Sequence, residues 1–566
     1  MRWAPGIGVL RTYERAWLPK DLAAGLVLTA LLVPQGMAYA ELSGLPAITG
    51  LYTSMLCLLA YAAFGPSRVL VLGPDSALGS MIAATILPLA GAGGDPARAI
   101  ALASALSIMV AILMIGAGTA KLGFVADLFS KPTRVGYMNG LALTIVVGQL
   151  PKLLGFSVDA DAFFGDVAGV VRGIRGGEVV GASMLLGVGG LVVILGIARV
   201  APAVPGVLIA VVGAIVLVVA FDLGDEGVAL VGALPQGFPP FTLPAIQMSD
   251  VGLLAAGAVG ITLVALTDTI STSAAFAEKT GQEVDADQEM VAIGAANLAA
   301  GLFQGFPVST SGSRTAVAYQ AGAKSQLTGV VGAVAIGAML LVAPGLLRNL
   351  PQPVLASVVI AASLSLADVP ATLRLWHQRR IEFYVSMVAL GGVAILGVLP
   401  GIALAVVISI LNVFRRMWMP YHVELGRVEG RQGFHDLRVH PEGARDDGLV
   451  LFRFDAPLVF ANARAFRDAV RALAASEPTP VWIVVSAEPI TDVDTTAADM
   501  LEDLDEELNA AGISLVFAEM KSGVKRKVAR YELTRTIDPE HFFDTIDEAV
   551  AAYHDRHGGT VRPPAG

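Results

Sequence analysis

The sequence predicts a polytopic α-helical membrane protein that carries a small α/β domain at its C-terminal end. Hydrophobic residues make up 55% of the 566 residues and charged residues only 15%, well below the quarter that is usual in soluble domains. Apolar stretches long enough to cross a bilayer recur from about residue 21 to residue 416 and then stop. The segment that follows is charge-rich, and its short apolar runs alternate with amphipathic stretches, which is typical of an α/β unit.

The apolar segments form two sets of seven. They lie near 22–41, 46–63, 75–92, 98–117, 133–149, 179–197 and 203–221, and then near 252–277, 286–302, 309–320, 325–344, 352–367, 382–398 and 400–414. An even number of spans places both termini on the same side of the membrane. Most clusters of Arg and Lys fall on that side, although Arg172 and Arg175 do not. The positive-inside bias therefore predicts a multi-pass protein of the cell membrane with both termini in the cytoplasm.

These changes in composition predict the domain boundaries. The expected parts are an N-terminal cytoplasmic segment 1–20, a transmembrane domain 21–416 with repeats at about 21–225 and 250–416, a linker 417–445, a cytoplasmic α/β domain 446–556 and a disordered tail 557–566.

The two halves carry matching interrupted segments. In the first half a helix is predicted to break at Pro34-Gln35-Gly36, and residues 72–77 (LGPDSA) follow about 40 residues later. In the second half a helix carries Asp268 in its middle, and residues 306–313 (FPVSTSGS) follow at nearly the same spacing. Such paired interruptions point to the binding site of an inverted-repeat transporter. An odd number of spans per half turns the second repeat upside down, so the two interrupted segments should meet inside the membrane.

Each interrupted segment is predicted to be a short extended strand followed by a half-helix. Pro74 and Pro307 block helix continuation, and residues that cap helices well come next. Two helix starts facing one cavity present unpaired N–H groups and partial positive charge, which suits an anion. The alternative is a pair of Pro-kinked helices packed through small residues. The candidate substrate-binding residues are Gln35, Asp75, Ser76, Ala77, Thr310, Ser311, Gly312, Ser313 and Arg314.

Two ionisable residues within the apolar segments are functional candidates because a charge is costly there. Arg314 would either add positive potential for the anion or lock its half-helix to a partner such as Asp75. Asp268 has Thr272 one helical turn away, and a carboxylate with a hydroxyl suits sodium, although a proton would also serve. The alternative for Asp268 is a structural pair with an arginine.

Residues 33–40 (VPQGMAYA) closely resemble the sulfate-transport signature of the sulfate permease (SulP) anion transporters. Residues 73–75 (GPD), 139–141 (NGL) with 149–152 (QLPK), and 303–314 are also similar to that family. The resemblance implies fourteen segments in seven-plus-seven inverted repeats, a core domain that moves against a gate domain, and usually a homodimer.

The same resemblance assigns roles to individual residues. Asp268 and Thr272 resemble the sodium-binding pair of sodium-driven bicarbonate members, and Thr310 joins them in the predicted cation-coupling set. Asp75 departs from the pattern of members that have a neutral residue at this position. That departure suggests a helix cap or a pair with Arg314.

The C-terminal α/β segment resembles the STAS domain, which implies an interaction or dimer-organising module without enzymatic activity. Residues 491–496 (TDVDTT) stand where STAS relatives place a phosphorylatable Ser or Thr. The alternative is that Asp494, Thr495 or Thr496 caps the following helix.

The predicted function is secondary active transport of a small inorganic oxyanion, sulfate or bicarbonate, by elevator-type alternating access. Sodium- or proton-coupled symport is expected, with no cofactor apart from a coupling sodium ion. The alternatives are an uncoupled exchanger or channel on the same fold, a dicarboxylate transporter, or a membrane sensor. The net charge of −10, without a basic stripe, gives no reason to expect nucleic-acid binding.

Overall fold

The computed structural model describes residues 4–9, 13–91, 95–123, 130–158, 163–201, 204–281, 283, 285–558 and 561–562. The chain divides into two compact units, Met1–Ser409 and Ile410–Gly566. The first is almost entirely helical, and the second is built on a mixed β-sheet.

The first unit contains the following helices and two short strands, and its last helix continues beyond Ser409 into the second unit. In chain order they are α1 Pro5–Val9, α2 Leu18–Leu42, α3 Ala47–Phe64, β1 Leu72–Gly73, α4 Ser76–Ala90, α5 Pro96–Thr119, α6 Lys131–Leu154, α7 Phe163–Gly176, α8 Gly181–Val200, α9 Gly206–Phe221, α10 Val251–Thr280, α11 Ala286–Leu302, β2 Ser309–Thr310, α12 Gly312–Gln320, α13 Leu327–Val342, α14 Gln352–Leu366, α15 Val369–Gln378, α16 Arg380–Leu396 and α17 Val398–Trp418.

The fourteen predicted spans correspond to α2–α6, α8–α14, α16 and α17, so the predicted helical membrane fold is confirmed. Among the described residues, seven helical segments are by themselves long and apolar enough to cross a membrane, and α4, α9 and α13 are shorter apolar helices. The sequence analysis did not predict α7 and α15, which come between spans. Both are amphipathic and leave large apolar side chains such as Phe164 and Leu373 exposed, as helices that lie at a membrane interface do.

The helices pack in two groups. In the core domain α5 packs on α11, and α2 on α3 and α13. In the gate domain α6 packs on α14 and α16, and α8 on α9 and α14. A Cβ added at Gly301 would lie 2.7 Å from the carbonyl oxygen of Ser104, and one added at Gly136 would lie 1.9 Å from that of Ser386. Glycine therefore lets backbones touch inside each domain, as small residues do in membrane bundles.

The predicted helix break at Pro34 is wrong. Helix α2 continues through Pro34 to Leu42, although proline removes one backbone donor. Membrane helices tolerate such a residue where neighbouring helices support the backbone. A Cβ added at Gly50 of α3 would lie 1.9 Å from the carbonyl oxygen of Gly36. Gly36 therefore serves close packing of α2 against α3 and does not end the helix.

The second unit contains the remaining strands and helices. They are β3 His422–Gly426, β4 His435–Asp436, β5 Arg445–Asp446, β6 Leu449–Phe454, α18 Ala463–Ala474, β7 Trp482–Ser486, α19 Thr495–Ala510, β8 Ser514–Ala518, α20 Ser522–Arg530, β9 Phe542–Phe543, α21 Ile546–His557 and β10 Val561–Arg562. The main sheet has the order β4-β3-β6-β7-β8-β9, and β6 to β9 are parallel. Strands β6, β7 and β8 alternate with helices α18 and α19, so the predicted α/β character of this segment is confirmed.

The predicted boundaries of this unit need two corrections. Strand β3 lies inside the predicted linker 417–445, pairs antiparallel with β6, and buries Val423 and Leu425 on one face of the sheet. The sequence analysis missed it because the strand is only five residues long among polar neighbours. In the predicted tail 557–566, His557 ends α21 and β10 pairs with β5. Residues 559–560 and 563–566 of that tail lie outside the described residues.

Asp505 of α19 is a buried carboxyl in the soluble unit, where it accepts a hydrogen bond of 3.0 Å from Asn509. Burial raises the pKa of Asp505 from 3.8 to about 6. The folded domain therefore binds more protons than the unfolded chain between these pH values, so its free energy of unfolding falls as the pH rises through this window.

Replacing Asp505 with Asn should remove this pH dependence. We expect Asp505→Asn to raise the free energy of unfolding at pH 7.5, relative to its effect at pH 4, by up to about 3 kcal/mol. Urea denaturation of the soluble domain across this pH range measures the difference. Asp503→Asn, at an exposed carboxylate of the same helix, is the matched control. Equal pH slopes for wild type and Asp505→Asn would contradict the prediction.

Candidate functional site

The two repeats meet at an antiparallel pair of two-residue strands. Strand β1 pairs with β2, so that Leu72 lies opposite Thr310 and Gly73 opposite Ser309. The backbone N–H of Ser311 extends the pairing by donating to the carbonyl of Val71 over 3.1 Å. Helices α4 and α12 begin directly after these strands, so the predicted strand-then-half-helix geometry is confirmed in both repeats. Two helix N-termini therefore lie on opposite sides of one strand pair.

Side chains from neighbouring helices hold the outer edges of both strands. The amide of Asn297 on α11 donates to the carbonyl of Val308 over 3.2 Å and accepts from its N–H over 3.0 Å. The hydroxyl of Thr315 on α12 accepts from the N–H of Val71 over 3.0 Å. The sequence analysis missed both residues. A polar residue such as Asn297 inside an apolar helix could have been predicted to bind another segment, because buried polar groups form hydrogen bonds.

Asp75 and Ser311 cap the two half-helices. The Oδ1 atom of Asp75 accepts a hydrogen bond of 2.9 Å from the N–H of Ala77. The hydroxyl of Ser311 accepts from the N–H of Arg314 over 3.5 Å and lies 3.1 Å from the hydroxyl of Ser313. The N–H of Ala77, a predicted substrate donor, is therefore engaged by a carboxylate of the protein itself.

Arg314 lies buried between the two helix starts. Its three guanidinium nitrogens have no hydrogen-bond partner among the described residues. The Oδ2 atom of Asp75 lies 3.8 Å from Nη2 of Arg314, which is close enough for an ion pair but too long for a hydrogen bond. A Cβ added at Gly73 would lie 2.7 Å from Nη1, so the guanidinium rests against the β1 backbone. Both predicted roles of Arg314 fit this position, since it adds positive charge and faces Asp75.

Other predicted substrate residues surround the same place. Ser76 is buried and lies beside Tyr39 of α2. Gln35 lies one helical turn before Tyr39 and is half-buried. Gly312 and Ser313 at the start of α12 are exposed. The α12 end of the site is therefore open to solvent, whereas the α4 end is closed.

The predicted cation residues lie on α10 and β2. Asp268 is half-buried and lies close enough to Asp75 for the two charges to repel. Thr272 faces the start of α12, since its hydroxyl would lie 3.7 Å from a Cβ added at Gly312. The hydroxyl of Thr310 donates to the hydroxyl of Thr269 over 3.1 Å. Thr269, which the sequence analysis did not single out, therefore holds Thr310.

A polar contact joins the gate domain to this part of the core domain. Arg134 of α6 donates a hydrogen bond of 2.6 Å to the hydroxyl of Ser271, one turn of α10 away from Asp268. Arg134 also lies near enough to attract the charge of Asp268. The sequence analysis used Arg134 only to orient the chain, because one position in a sequence does not reveal a partner more than a hundred residues away.

This arrangement of interrupted segments agrees with the family to which the sequence is similar. The model of the sulfate permease family matches residues 18–389, and the STAS domain model matches residues 440–549. The chain belongs to the sulfate permease family. This permease is therefore a multi-pass membrane protein that transports anions, and not an enzyme.

Named relatives and solved structures cover nearly the whole permease. A probable sulfate transporter of Mycobacterium tuberculosis (strain CDC 1551 / Oshkosh) is 40% identical over 98% of both chains. The structure of murine solute carrier 26 family member A9, an anion transporter, has a TM-score of 0.89 with 22% identity and covers 98% of this chain and 94% of its own. The transmembrane domain of the cyanobacterial bicarbonate transporter BicA has a TM-score of 0.60 with 21% identity, covering 70% of this chain and 98% of its own.

Two glycine substitutions test the position of the guanidinium. We expect Gly73→Ala to lower anion uptake at least about tenfold, because its Cβ would displace the Arg314 side chain by entering within 2.7 Å of Nη1. Gly116→Ala in α5 is the matched control, because a Cβ added there would meet no atom within 4 Å and the residue lies outside the site. Uptake into proteoliposomes measures both. Equal uptake by the two variants would contradict the assigned geometry.

Proposed function

We propose that the permease carries out secondary active transport of a small inorganic oxyanion, with sulfate preferred to bicarbonate. The substrate would bind between the starts of α4 and α12. Sodium or protons would drive symport, and elevator-type alternating access would carry the core domain past the gate domain. We propose the cell membrane as its location, with both termini in the cytoplasm.

The observation that carries this proposal is the guanidinium of Arg314. A buried donor without a hydrogen-bond partner is costly, and a buried charge more so. Here all three guanidinium nitrogens lack a partner among the described residues, and Arg314 joins the start of α12 to Asp75 at the start of α4, where both helix ends are positive. An oxyanion supplies several acceptor oxygens to such a fork of donors, and helix N-termini bind the same class of ligand. Gln35, Ser76, Thr310, Ser311, Gly312 and Ser313 are the proposed neighbours of the bound anion.

The choice of sulfate rests on the relatives. The Mycobacterium tuberculosis protein that is 40% identical is described as a probable sulfate transporter. A protein of Arabidopsis thaliana that is 30% identical over 96% of this chain is also described as a probable sulfate transporter. Bicarbonate is kept as the second substrate because BicA, which shares the fold, is described as a bicarbonate transporter.

The proposed coupling site consists of Asp268, Thr272 and Thr310. A carboxylate and two hydroxyls provide the oxygen atoms that a hard cation requires. Thr272 and Thr310 lie against the start of α12, so a cation beside Asp268 would sit next to the bound anion. A bound cation and a bound anion at this distance attract each other. Each therefore raises the binding affinity for the other by the same factor. That reciprocity is the thermodynamic basis of symport.

The division into core and gate domains supports the elevator proposal. Both strands and both half-helices belong to the core domain, whose backbones touch through glycine. Such a domain can move as one body with its site. The STAS domain is proposed to organise a homodimer or bind a regulator. Within it, Asp494 caps α19 by accepting a 2.8 Å hydrogen bond from the N–H of Ala497.

Radiotracer uptake into proteoliposomes tests the proposed function. Sulfate, bicarbonate and a dicarboxylate are each offered with and without a sodium gradient, and with and without a proton gradient. We expect sulfate to accumulate against its gradient with one of the two cations. Uptake that only equilibrates, without any cation dependence, would favour an uncoupled exchanger or channel instead.

Asp268 and Thr272 test the coupling site. Asp268→Asn should abolish cation-driven accumulation because it removes the charge that binds the cation, while sulfate binding persists at Arg314. Thr272→Val should weaken cation affinity by about tenfold, since it removes one neutral ligand worth about 1–2 kcal/mol. Uptake against sodium concentration and pH measures both effects. If Asp268→Asn accumulates sulfate with the cation dependence of wild type, Asp268 is structural.

A further inference from the structure

We propose that Asp75 acts as a tethered anion that competes with the substrate for the α4 end of the site. In its charged form it would exclude a dianion, and on taking up a proton it would admit one. Asp75 would thereby set both the charge selectivity and the proton dependence of transport. The inference rests on the proposed function, because it concerns the same anion site.

One oxygen of Asp75 already occupies a donor that a substrate would use, and the other oxygen faces the guanidinium of Arg314. One oxygen accepts the N–H of Ala77 over 2.9 Å at the start of α4. The other lies 3.8 Å from Nη2 of Arg314. The site therefore contains a carboxylate of the protein where the sequence pattern predicts an external oxyanion.

Capping alone does not require this charge. Asn and Ser cap helices about as well as Asp. A neutral residue at this position would leave the guanidinium of Arg314 available to the substrate, yet an acidic residue stands there. Because of the 3.8 Å separation, none of the three guanidinium nitrogens donates a hydrogen bond to Asp75. The pair is therefore loose enough for an incoming anion to displace the carboxylate from Arg314.

The charge balance at the site decides which anion fits. Each helix N-terminus contributes roughly half a positive charge, and Arg314 contributes one more. With Asp75 ionised, these groups and Asp75 sum to about +1, which matches a monoanion; Asp268 is not counted, because Arg134 partly offsets its charge. With Asp75 protonated the sum is about +2, which matches sulfate. One proton taken from the same side as sulfate would bind the carboxylate, cross with the core domain and leave on the other side.

The groups that face Asp75 make its protonation depend on the substrate. From α12, Arg314 attracts a negative charge on Asp75, and from α10, Asp268 repels it. From α2, Tyr39 lies near both Asp75 and Ser76. From α6, Arg134 partly offsets the charge of Asp268.

An oxyanion that takes over Arg314 removes the attraction on Asp75 and adds a new repulsion. Proton and dianion binding therefore favour each other.

Two further titratable groups lie near the residues that face Asp75. Tyr137 of α6 lies beside Asp268, and Cys57 of α3 lies near Arg314.

The test compares wild type with Asp75→Asn, which keeps a capping oxygen and removes the charge. Labelled sulfate uptake into proteoliposomes is measured between about pH 5.5 and pH 8, with and without nitrate as a competing monoanion. For wild type we expect uptake to fall with rising pH, by up to about tenfold per pH unit once Asp75 is ionised. For Asp75→Asn we expect a flat profile and weaker competition by nitrate. Glu289→Gln is the matched control and should keep the wild-type slope, since Glu289 is a buried carboxyl bonded to Tyr61 and Ser67 away from this site.

A second measurement keeps the test informative if Asp75→Asn does not transport. Equilibrium binding of labelled sulfate to the purified full-length protein at pH 8 should be at least about tenfold tighter for Asp75→Asn than for wild type. Weaker binding by the folded variant, or a wild-type pH slope in its uptake, would overturn the inference and leave the proposed function intact. A wild-type protein that takes up none of the tested anions would overturn the proposed function, and this inference with it.

Discussion

The antiparallel contact between β1 and β2 is the constraint on which the rest of the site depends. It consists of only two residues from each repeat, yet it fixes where α4 and α12 begin. Each helix start exposes N–H groups that need partners, and the strand pair directs both sets toward one place. Asn297 and Thr315 hold the strands from outside. Loss of this contact would separate the two positive ends and leave Arg314 without its position.

Arg314 gives the site at the β1–β2 contact a positive charge for an anion, but burying that charge costs free energy. An arginine in a membrane-spanning segment costs several kcal/mol, and this one is pressed against the backbone at Gly73. Asp75 lowers that cost by its charge but does not form a hydrogen bond to it. The charge of Arg314 is therefore offset, while its hydrogen-bond donors stay without a partner among the described residues. A fully bonded Arg314–Asp75 pair would hold the half-helices together and leave nothing for a substrate to bind.

The packing inside each membrane domain differs from the packing between the two domains. Inside the core and gate domains, glycines such as Gly301 and Gly136 bring helix backbones into contact, so each domain resists internal rearrangement. Between the domains, in the part of the chain that the structure describes, the polar contact nearest to the site is the bond from Arg134 to Ser271. A hydrogen bond of this kind contributes about 1 kcal/mol net and can break and re-form. Relative motion of two stiff domains is thus less costly than deformation of either.

The sequence by itself determined the spans, the paired interruptions and the alternating strands of the soluble domain, because hydrophobic periodicity and proline act locally. It also identified Asp75, Ser311 and Arg314, whose residue types are unusual within apolar segments. It was wrong about Pro34, because the close packing of Gly36 on Gly50 that keeps α2 continuous is a contact between helices. It missed β3, whose partner β6 supplies the hydrogen bonds that five residues cannot supply themselves. The tertiary structure alone decided that Asp75 faces Arg314, that Thr310 bonds to Thr269 and that Arg134 reaches Ser271, because each of these contacts joins segments that only the folding of the whole chain brings together.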